Sequence, residues 1–120
     1  MKIAVTAAGE DINAQVDPRF GRAQSFIVYD TESGEWQAVS NSVNLNAMQG
    51  AGIQTAQMLA KTGVEAVVTG HCGPKAFRVL NTAGIKVYSG ASGTVAEALE
   101  AFKTGQLQAA GGPDVEGHWQ

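Results

Sequence analysis

The second half of the chain alternates segments of strand character with segments of helical periodicity, and this order constrains the fold more than any other feature. Short apolar, β-branched runs at residues 65–69 and 85–88 are each followed by a turn and a helical pattern, at residues 74–82 and from residue 94 onward. Strands joined through helices pair in parallel, with right-handed crossovers. The second half therefore predicts an α/β domain.

The first half is expected to add antiparallel strands to the same sheet. Residues 2–7 have the pattern of a first strand, and residues 25–31 and 36–42 that of two strands joined by a turn at residues 32–35. A further helix is expected to open in the glycine-rich stretch 44–52. The prediction is an α/β fold in which a mixed sheet of about five strands carries helices on both faces.

Size and charge limit the classes of function. The 120 residues fit one domain, and 44% of them are hydrophobic, enough for a core. We expect a single domain over residues 1–107 and a mostly irregular tail over residues 108–120, where Gly-Gly-Pro interrupts a stretch with few bulky apolar side chains. The formal net charge is −3, so nothing global attracts the chain to nucleic acid or to an anionic membrane.

Cysteine usage and hydropathy indicate a cytoplasmic protein. The single cysteine cannot form an intramolecular disulfide, and the N-terminal apolar run is too short for a signal peptide. No segment approaches the roughly 20 apolar residues of a membrane span. Nucleic acids and membranes are therefore not expected as partners, and an anionic ligand would need a local patch of positive charge.

The stretch from His71 to Arg78 concentrates chemically active side chains. It contains the only cysteine, Cys72, and it continues through Pro74 to the basic residue Lys75. A buried-looking strand precedes it and proline suits the first turn of a helix, so it is expected to form a strand-to-helix turn. Amide groups and the helix dipole favour negative charge at such a turn. The stretch therefore predicts a site for an anion or a soft metal.

Further loops are expected near this turn. Ligand crevices of such sheets lie beyond the carboxyl ends of parallel strands, where the turns at residues 70–74 and 90–94 should open. The turn at residues 50–52 joins them only if the strand before it runs in the same direction, which the antiparallel hairpin leaves open. The long polar loop at residues 8–23 is unusually rich in charged and special residues.

Four ordered motifs resemble the dinitrogenase iron–molybdenum cofactor biosynthesis family, over residues 1 to about 107. They are Asp17-Pro18-Arg19-Phe20-Gly21-Arg22-Ala23 with Phe26, Gly50-Ala51-Gly52, Gly70-His71-Cys72-Gly73-Pro74-Lys75-Ala76 and Gly84-Ile85-Lys86-Val87. The resemblance implies a three-layer, ribonuclease-H-like fold and a non-catalytic protein that binds or carries an anionic metal–sulfur cluster. The implied cluster contains molybdenum, as a molybdenum–copper sulfide or an iron–molybdenum cofactor precursor. Protein partners would act in its assembly or delivery.

The residue types fit such a ligand. A thiomolybdate-type cluster is anionic, soft and bulky, so it needs positive charge, amide donors and close approach of the backbone. The predicted cluster-binding residues are Arg19, Phe20, Gly21, Arg22, Met48, Gly50, Ala51, Gly52, His71, Cys72, Gly73 and Lys75, with Cys72 and His71 as candidate metal ligands. One cysteine and two histidines supply neither a conventional zinc site nor a four-cysteine iron–sulfur site. Retention would rest mainly on charge and hydrogen bonds.

Several of these residues also have a structural interpretation. Cys72 fits a small buried side chain at a strand end, and His71 fits a hydrogen bond to a loop carbonyl. Phe20 has the character of a core anchor for its loop. Met58 falls on an apolar helix face and suits the core, whereas Met48 in the glycine-rich stretch is the better candidate for a sulfur donor.

The arginines have alternatives of the same kind. Arg19 and Arg22 can pair with Asp17 and Asp11 and so hold the long loop in place. Arg78 lies about one helical turn beyond the predicted helix start and fits a solvated side chain.

The spacing of His71, Cys72 and Arg78 also matches the loop of cysteine-dependent phosphatases. In that chemistry a thiolate attacks phosphorus inside a ring of amides, and an arginine closes on the phosphate. Two features count against this match: Pro74 would remove one amide from the ring, and Val79 stands where such loops place a hydroxyl. Because the spacing matches, a cysteine-dependent phosphatase is the alternative function.

A metal-dependent nuclease is a third hypothesis for the function, suggested by the fold alone. Such enzymes need several carboxylates around divalent ions. The early candidates are Asp11, Asp17 and Asp30, and the sequence shows no basic surface for nucleic acid.

Overall fold

A single five-stranded sheet with helices on both faces forms the domain. The computed structural model describes residues 1–45 and 50–110, without the side chain of Leu45. The predicted ligand residue Met48 and residues 111–120 of the predicted tail lie outside the described residues. The elements are β1 Lys2–Ala7, β2 Ser25–Asp30, β3 Trp36–Ser40, α1 Ser42–Leu45, α2 Ala51–Ala60, β4 Ala66–Val68, α3 Pro74–Thr82, β5 Lys86–Tyr88 and α4 Val95–Lys103.

The strand order is β3-β2-β1-β4-β5, with β1 at the centre. β2 pairs antiparallel with both β1 and β3, whereas β1, β4 and β5 are mutually parallel. Two antiparallel steps leave β3 parallel to β1, so all strands except β2 end at the same edge of the sheet. This arrangement is the ribonuclease-H-like motif, and it confirms the predicted mixed sheet of five strands.

The direction of β3 answers the question that the sequence left open. β3 ends at the edge where β1, β4 and β5 also end, which we call the carboxyl edge. The chain therefore enters α2 from this edge, and α2 runs back along the sheet to β4. The glycine-rich turn at residues 50–52 accordingly lies at the same edge as the turns that follow β4 and β5.

Two apolar clusters separate the faces of the sheet. Successive residues of a strand point to opposite faces. In β1, Ala4 packs with Leu59 of α2 and Leu80 of α3 in one cluster, and Val5 packs with Leu99 of α4 in the other. The expected helices on both faces are thus confirmed, with α2 and α3 covering one face and α4 the other.

The predicted and observed boundaries differ mainly after β3. The strand expected over residues 36–42 ends at Ser40, because the chain turns at Asn41, whose carbonyl accepts from the N–H group of Asn44 in α1, a short helix that was not predicted. The helix predicted over residues 74–82 is observed without change. Pro74 fixes its start, as its sequence position indicated.

The outer edge of β5 is covered by the last described residues. Ala109 forms a bridge with Tyr88, and the N–H group of Ala110 donates to the carbonyl of Val87 at 2.7 Å. The domain boundary at residue 107 stays a prediction. Over residues 1–45 and 50–110, the structure contains no helix that is both long and apolar enough to cross a membrane.

Candidate functional site

The loop at residues 17–23, here called the arginine loop, lies directly against the turn between β4 and α3. Arg19 and His71 form an isolated parallel bridge. The N–H group of His71 donates to the carbonyl of Pro18 at 2.7 Å, and the N–H group of Phe20 donates to the carbonyl of His71 at 3.2 Å. Two of the motifs singled out in the sequence are therefore joined through their backbones.

Glycine permits these segments to come into contact. A Cβ atom placed on Gly70 would lie 2.7 Å from the Cα atom of Pro18, and one placed on Gly21 would lie 2.7 Å from the Cα atom of Gly52. Both distances are far inside van der Waals contact. Gly21 and Gly70 thus each admit another segment of the chain.

The starts of α2 and α3 also lie side by side. A Cβ atom on Gly52, in the first turn of α2, would lie 3.3 Å from the Cβ atom of Ala76 in the first turn of α3. The arginine loop touches both starts, through Gly21 on one side and His71 on the other. The structure thus brings together the three motif segments that the sequence analysis assigned to one site.

Neither N-cap residue of these two helices supplies a side-chain cap, because both are glycine. The N-cap residues are Gly50, which has a left-handed backbone with φ of 74°, and Gly73, and the first turns contain no acidic residue. In contrast, α4 has Thr94 and Glu97 in a capping box, and its first N–H groups donate to carbonyls of the loop after β1. Amide groups at a helix start attract anions. The uncapped pair therefore suits an anion better than α4 does.

The basic side chains near these starts are mostly at the surface. Lys75 and His71 are exposed, Arg22 is half-buried, and the side chain of Arg19 is 67% exposed. Arg19 is also the cation of an ion pair, with its Nε atom 3.7 Å from Oδ1 of the buried Asp17. This pairing is the structural role that the sequence analysis gave as an alternative.

Asp17 organises the start of the arginine loop. Its Oδ1 atom accepts a hydrogen bond from the backbone N–H group of Arg19 at 3.0 Å. Its carbonyl accepts from the hydroxyl of Thr6 at 2.7 Å, and the same hydroxyl lies 3.1 Å from that of Thr69. The loop is thereby attached to the ends of β1 and β4.

Three of the predicted ligand residues have side chains in the protein interior. Phe20 is 2% exposed and packs edge-on against Phe26, with ring centroids 5.7 Å apart, so its interpretation as a core anchor is confirmed. Ala51 is buried as well. Cys72 is 1% exposed, belongs to the apolar cluster under α2 and α3, and has its Sγ atom 3.7 Å from the carbonyl oxygen of Gly73. Its thiol thus lies beneath the surface formed by the loops.

The described residues do not contain a cluster of conventional metal ligands. Over residues 1–45 and 50–110, no group of three or more His, Cys, Asp or Glu side chains is arranged to hold a metal ion. The arrangement provides amides, cationic side chains and one exposed imidazole. Such a set suits a bulky anion held at its periphery.

The phosphatase alternative requires a different backbone. A phosphate cradle places loop amides between the cysteine and the arginine, all facing one oxyanion. Here α3 begins at Pro74, so Gly73 alone separates Cys72 from the helix, and Arg78 lies inside the helix on an exposed position. The buried thiol and the short loop give no such cradle.

The sequence analysis missed two residues of this region, Asn41 and Thr55. Both are buried polar residues, and both form hydrogen bonds with the arginine loop. The signal for Asn41 was its position in a short polar run, between Ser40 and Ser42, that follows the apolar residues of a strand. Thr55 left no signal, because a threonine on a helix is usually solvated.

The strand order, together with the arginine loop and the starts of α2 and α3, defines the class of this protein. It is a small ribonuclease-H-like α/β domain with a candidate anion site at its carboxyl edge. The chain belongs to the dinitrogenase iron–molybdenum cofactor family, whose sequence profile it matches over residues 1–105. The resemblance found in four motifs is thus confirmed. Membership points to a general role in metal-cluster carriage or cofactor biosynthesis.

Individual relatives support the same assignment. The apo form of the orange protein from Desulfovibrio gigas is 45% identical, with 95% of this chain and 96% of that chain covered and a TM-score of 0.93. A NifB-type protein from Thermotoga is 40% identical, with 90% and 91% covered and a TM-score of 0.79. An uncharacterised protein from Methanocaldococcus jannaschii is 32% identical over 99 residues, which are 80% of this chain and 83% of the relative.

Proposed function

We propose that this protein binds and carries an anionic molybdenum-containing metal–sulfur cluster, without catalysing a reaction. The cluster is either a molybdenum–copper sulfide or a precursor of the iron–molybdenum cofactor. The proposal combines the family membership with the likeness to the orange protein. The proposed location is the cytoplasm, and because the cluster is cargo, the protein acts together with proteins that assemble or receive it.

One structural observation carries the proposal. The uncapped starts of α2 and α3 lie side by side, and the arginine loop passes across both. Neighbouring segments therefore contribute amide donors, helix dipoles and the basic residues Arg19, Arg22 and Lys75, in a chain whose formal net charge is −3. Local positive charge of this kind favours an anion with several acceptor atoms on its surface.

A bulky sulfide cluster fits this surface for two reasons. The donors lie on separate segments at the protein surface, so they can contact a large anion from different sides. The soft, weakly hydrated sulfur atoms of such a cluster accept hydrogen bonds from amides and guanidinium groups. Among the predicted metal ligands, His71 offers an exposed imidazole and Cys72 a buried thiol.

The test is spectroscopic. The protein purified from its natural source without added metal is examined by ultraviolet–visible absorption and elemental analysis, and apo protein is titrated with tetrathiomolybdate and copper. Charge-transfer bands with stoichiometric molybdenum are expected. A metal-free protein that also leaves the tetrathiomolybdate spectrum unchanged would overturn the proposal.

A further inference from the structure

Asn41 connects the arginine loop to two helices. The residue directly follows β3 and is 1% exposed. Its Nδ2 group donates to the carbonyls of Ala23 at 2.8 Å and Gly21 at 3.4 Å. Its Oδ1 atom accepts from Asn44 of α1 at 2.9 Å and from the hydroxyl of Thr55 in α2 at 3.2 Å. Four hydrogen bonds are the full capacity of one amide side chain.

These bonds bracket Arg22. The carbonyl of Gly21 belongs to the residue before Arg22, and the carbonyl of Ala23 belongs to the residue after it. Both accept hydrogen bonds from Asn41. The Gly21 carbonyl also lies 3.3 Å from the hydroxyl of Thr55, whose single proton is shared between this carbonyl and Oδ1 of Asn41. The backbone on both sides of this arginine is therefore bonded to the buried side chain of Asn41, which is itself bonded to Thr55 of α2.

The packing of Gly21 limits movement in the opposite direction. Its Cα atom lies so close to Gly52 that a Cβ atom could not be inserted between them. The loop cannot move closer to α2, and the bonds to Asn41 and Thr55 oppose movement away from it. Buried hydrogen bonds of this kind are costly to break, because the freed groups lack water.

We propose that Asn41 and Thr55 are positioning residues that hold Arg22 beside the first turn of α2 before any ligand arrives. The inference rests on the proposed function, since it concerns the same anion site. A site ordered in advance binds more tightly, because the ligand does not have to supply the free energy of ordering the loop. Neither residue is a ligand in this account.

The test compares two substitutions of one hydroxyl. Thr55→Val keeps the shape and removes the hydroxyl, whereas Thr55→Ser keeps the hydroxyl. The valine variant leaves no buried acceptor alone, because the Gly21 carbonyl retains Asn41 and the Oδ1 atom of Asn41 retains Asn44. It should therefore fold.

Affinity for tetrathiomolybdate is the first readout. The Thr55→Val variant is expected to bind about fivefold to tenfold more weakly, the loss that corresponds to one net hydrogen bond. The Thr55→Ser variant should bind within about twofold of the original protein. Leu99→Ala, on the opposite face of the sheet, is the control for reduced stability and should leave the affinity unchanged. Equal affinity of the original protein and Thr55→Val would overturn the proposal.

A double-mutant cycle shows whether the hydroxyl acts through the arginine. In an Arg22→Ala background, Thr55→Val is expected to have no further effect on affinity. An undiminished effect in that background would mean that Thr55 acts by another route, and the positioning role would be wrong.

Backbone relaxation of the apo protein separates this inference from the proposed function. Nitrogen-15 order parameters of Arg22 and Ala23 are expected to fall in Thr55→Val and to stay unchanged in Thr55→Ser. If the original protein fails to bind tetrathiomolybdate, the proposed function is lost, and these order parameters alone decide the positioning role. Unchanged values in Thr55→Val would overturn it.

Discussion

At the residue scale, the basic side chains of the proposed anion site are the most direct to test. Replacing Arg22 or Lys75 by Ala is expected to weaken tetrathiomolybdate binding about threefold to tenfold, within the range measured for partly exposed charges. The binding of the original protein should also weaken as salt is added. Lys61→Ala, at the opposite end of α2, is the matched control. Unchanged affinity in both site variants would refute the proposed location.

The buried thiol of Cys72 gives a second prediction at this scale. Because the side chain is 1% exposed within an apolar cluster, Cys72→Ala is expected to retain tetrathiomolybdate binding within about threefold while losing some stability to the small cavity. The measurement is a spectrophotometric titration beside a urea unfolding curve. Complete loss of binding in a folded Cys72→Ala protein would instead identify the thiol as a ligand.

The glycines of the loop crossings give a third prediction. Gly70→Ala and Gly21→Ala each force a Cβ atom to within 2.7 Å of another backbone segment, so each is expected to cost about 1–3 kcal/mol of stability, as overpacking does elsewhere. Gly9→Ala is the control, because its Cβ atom meets only the side chain of Ala14, at 3.1 Å. Equal midpoints of urea unfolding for the three variants would contradict the close crossings.

Whole elements were easier to predict than the contacts between them. Pro74 marked the start of α3, and Thr94 that of α4, because caps and helix starts depend on neighbours in the sequence. The crossing of Gly21 over Gly52 could not be predicted, since it joins segments about thirty residues apart. The direction of β3 relative to β1 could not be predicted either, because it depends on how β2 pairs with both strands, and the residues of β3 do not encode that pairing.

The capping box of α4 yields a prediction at the element scale. Hydrogen bonds from the backbone and side chain of Thr94 lower the pKa of Glu97 below its usual value. A lowered pKa stabilises the fold at pH values above the ordinary range of the carboxyl, and that contribution is lost as acid protonates Glu97. Thr94→Ala should therefore lower the stability of the fold near pH 7 and lower it less near pH 3.

Urea unfolding at the two pH values checks this, and tetrathiomolybdate affinity is the control. α4 lies on the face away from α2 and α3, so affinity at neutral pH should not change. A stability loss of equal size at both pH values would show that the carboxylate of Glu97 takes no part in the cap.

For the whole molecule, ligand binding and global stability are expected to be linked. A ligand that binds only the folded state raises stability by about 2.7 kcal/mol when present at 100 times its dissociation constant. Tetrathiomolybdate should therefore raise the unfolding midpoint, and it should do so by a similar free energy in Leu99→Ala. Thermal unfolding at several ligand concentrations is the measurement. A midpoint that does not change with ligand concentration would exclude binding to the folded state.

The central place of β1 has a consequence for synthesis on the ribosome. This strand leaves the exit tunnel first, yet it pairs with β4 in a register that joins Ile3 to Ala66. Its parallel partner β4 is thus made some sixty residues after it, several seconds later at usual translation rates. The arginine loop, packed against Gly52 and His71, stays incomplete over the same interval. Under the proposed function, cluster loading is therefore expected only after the segments that contain Gly52 and His71 have been synthesised.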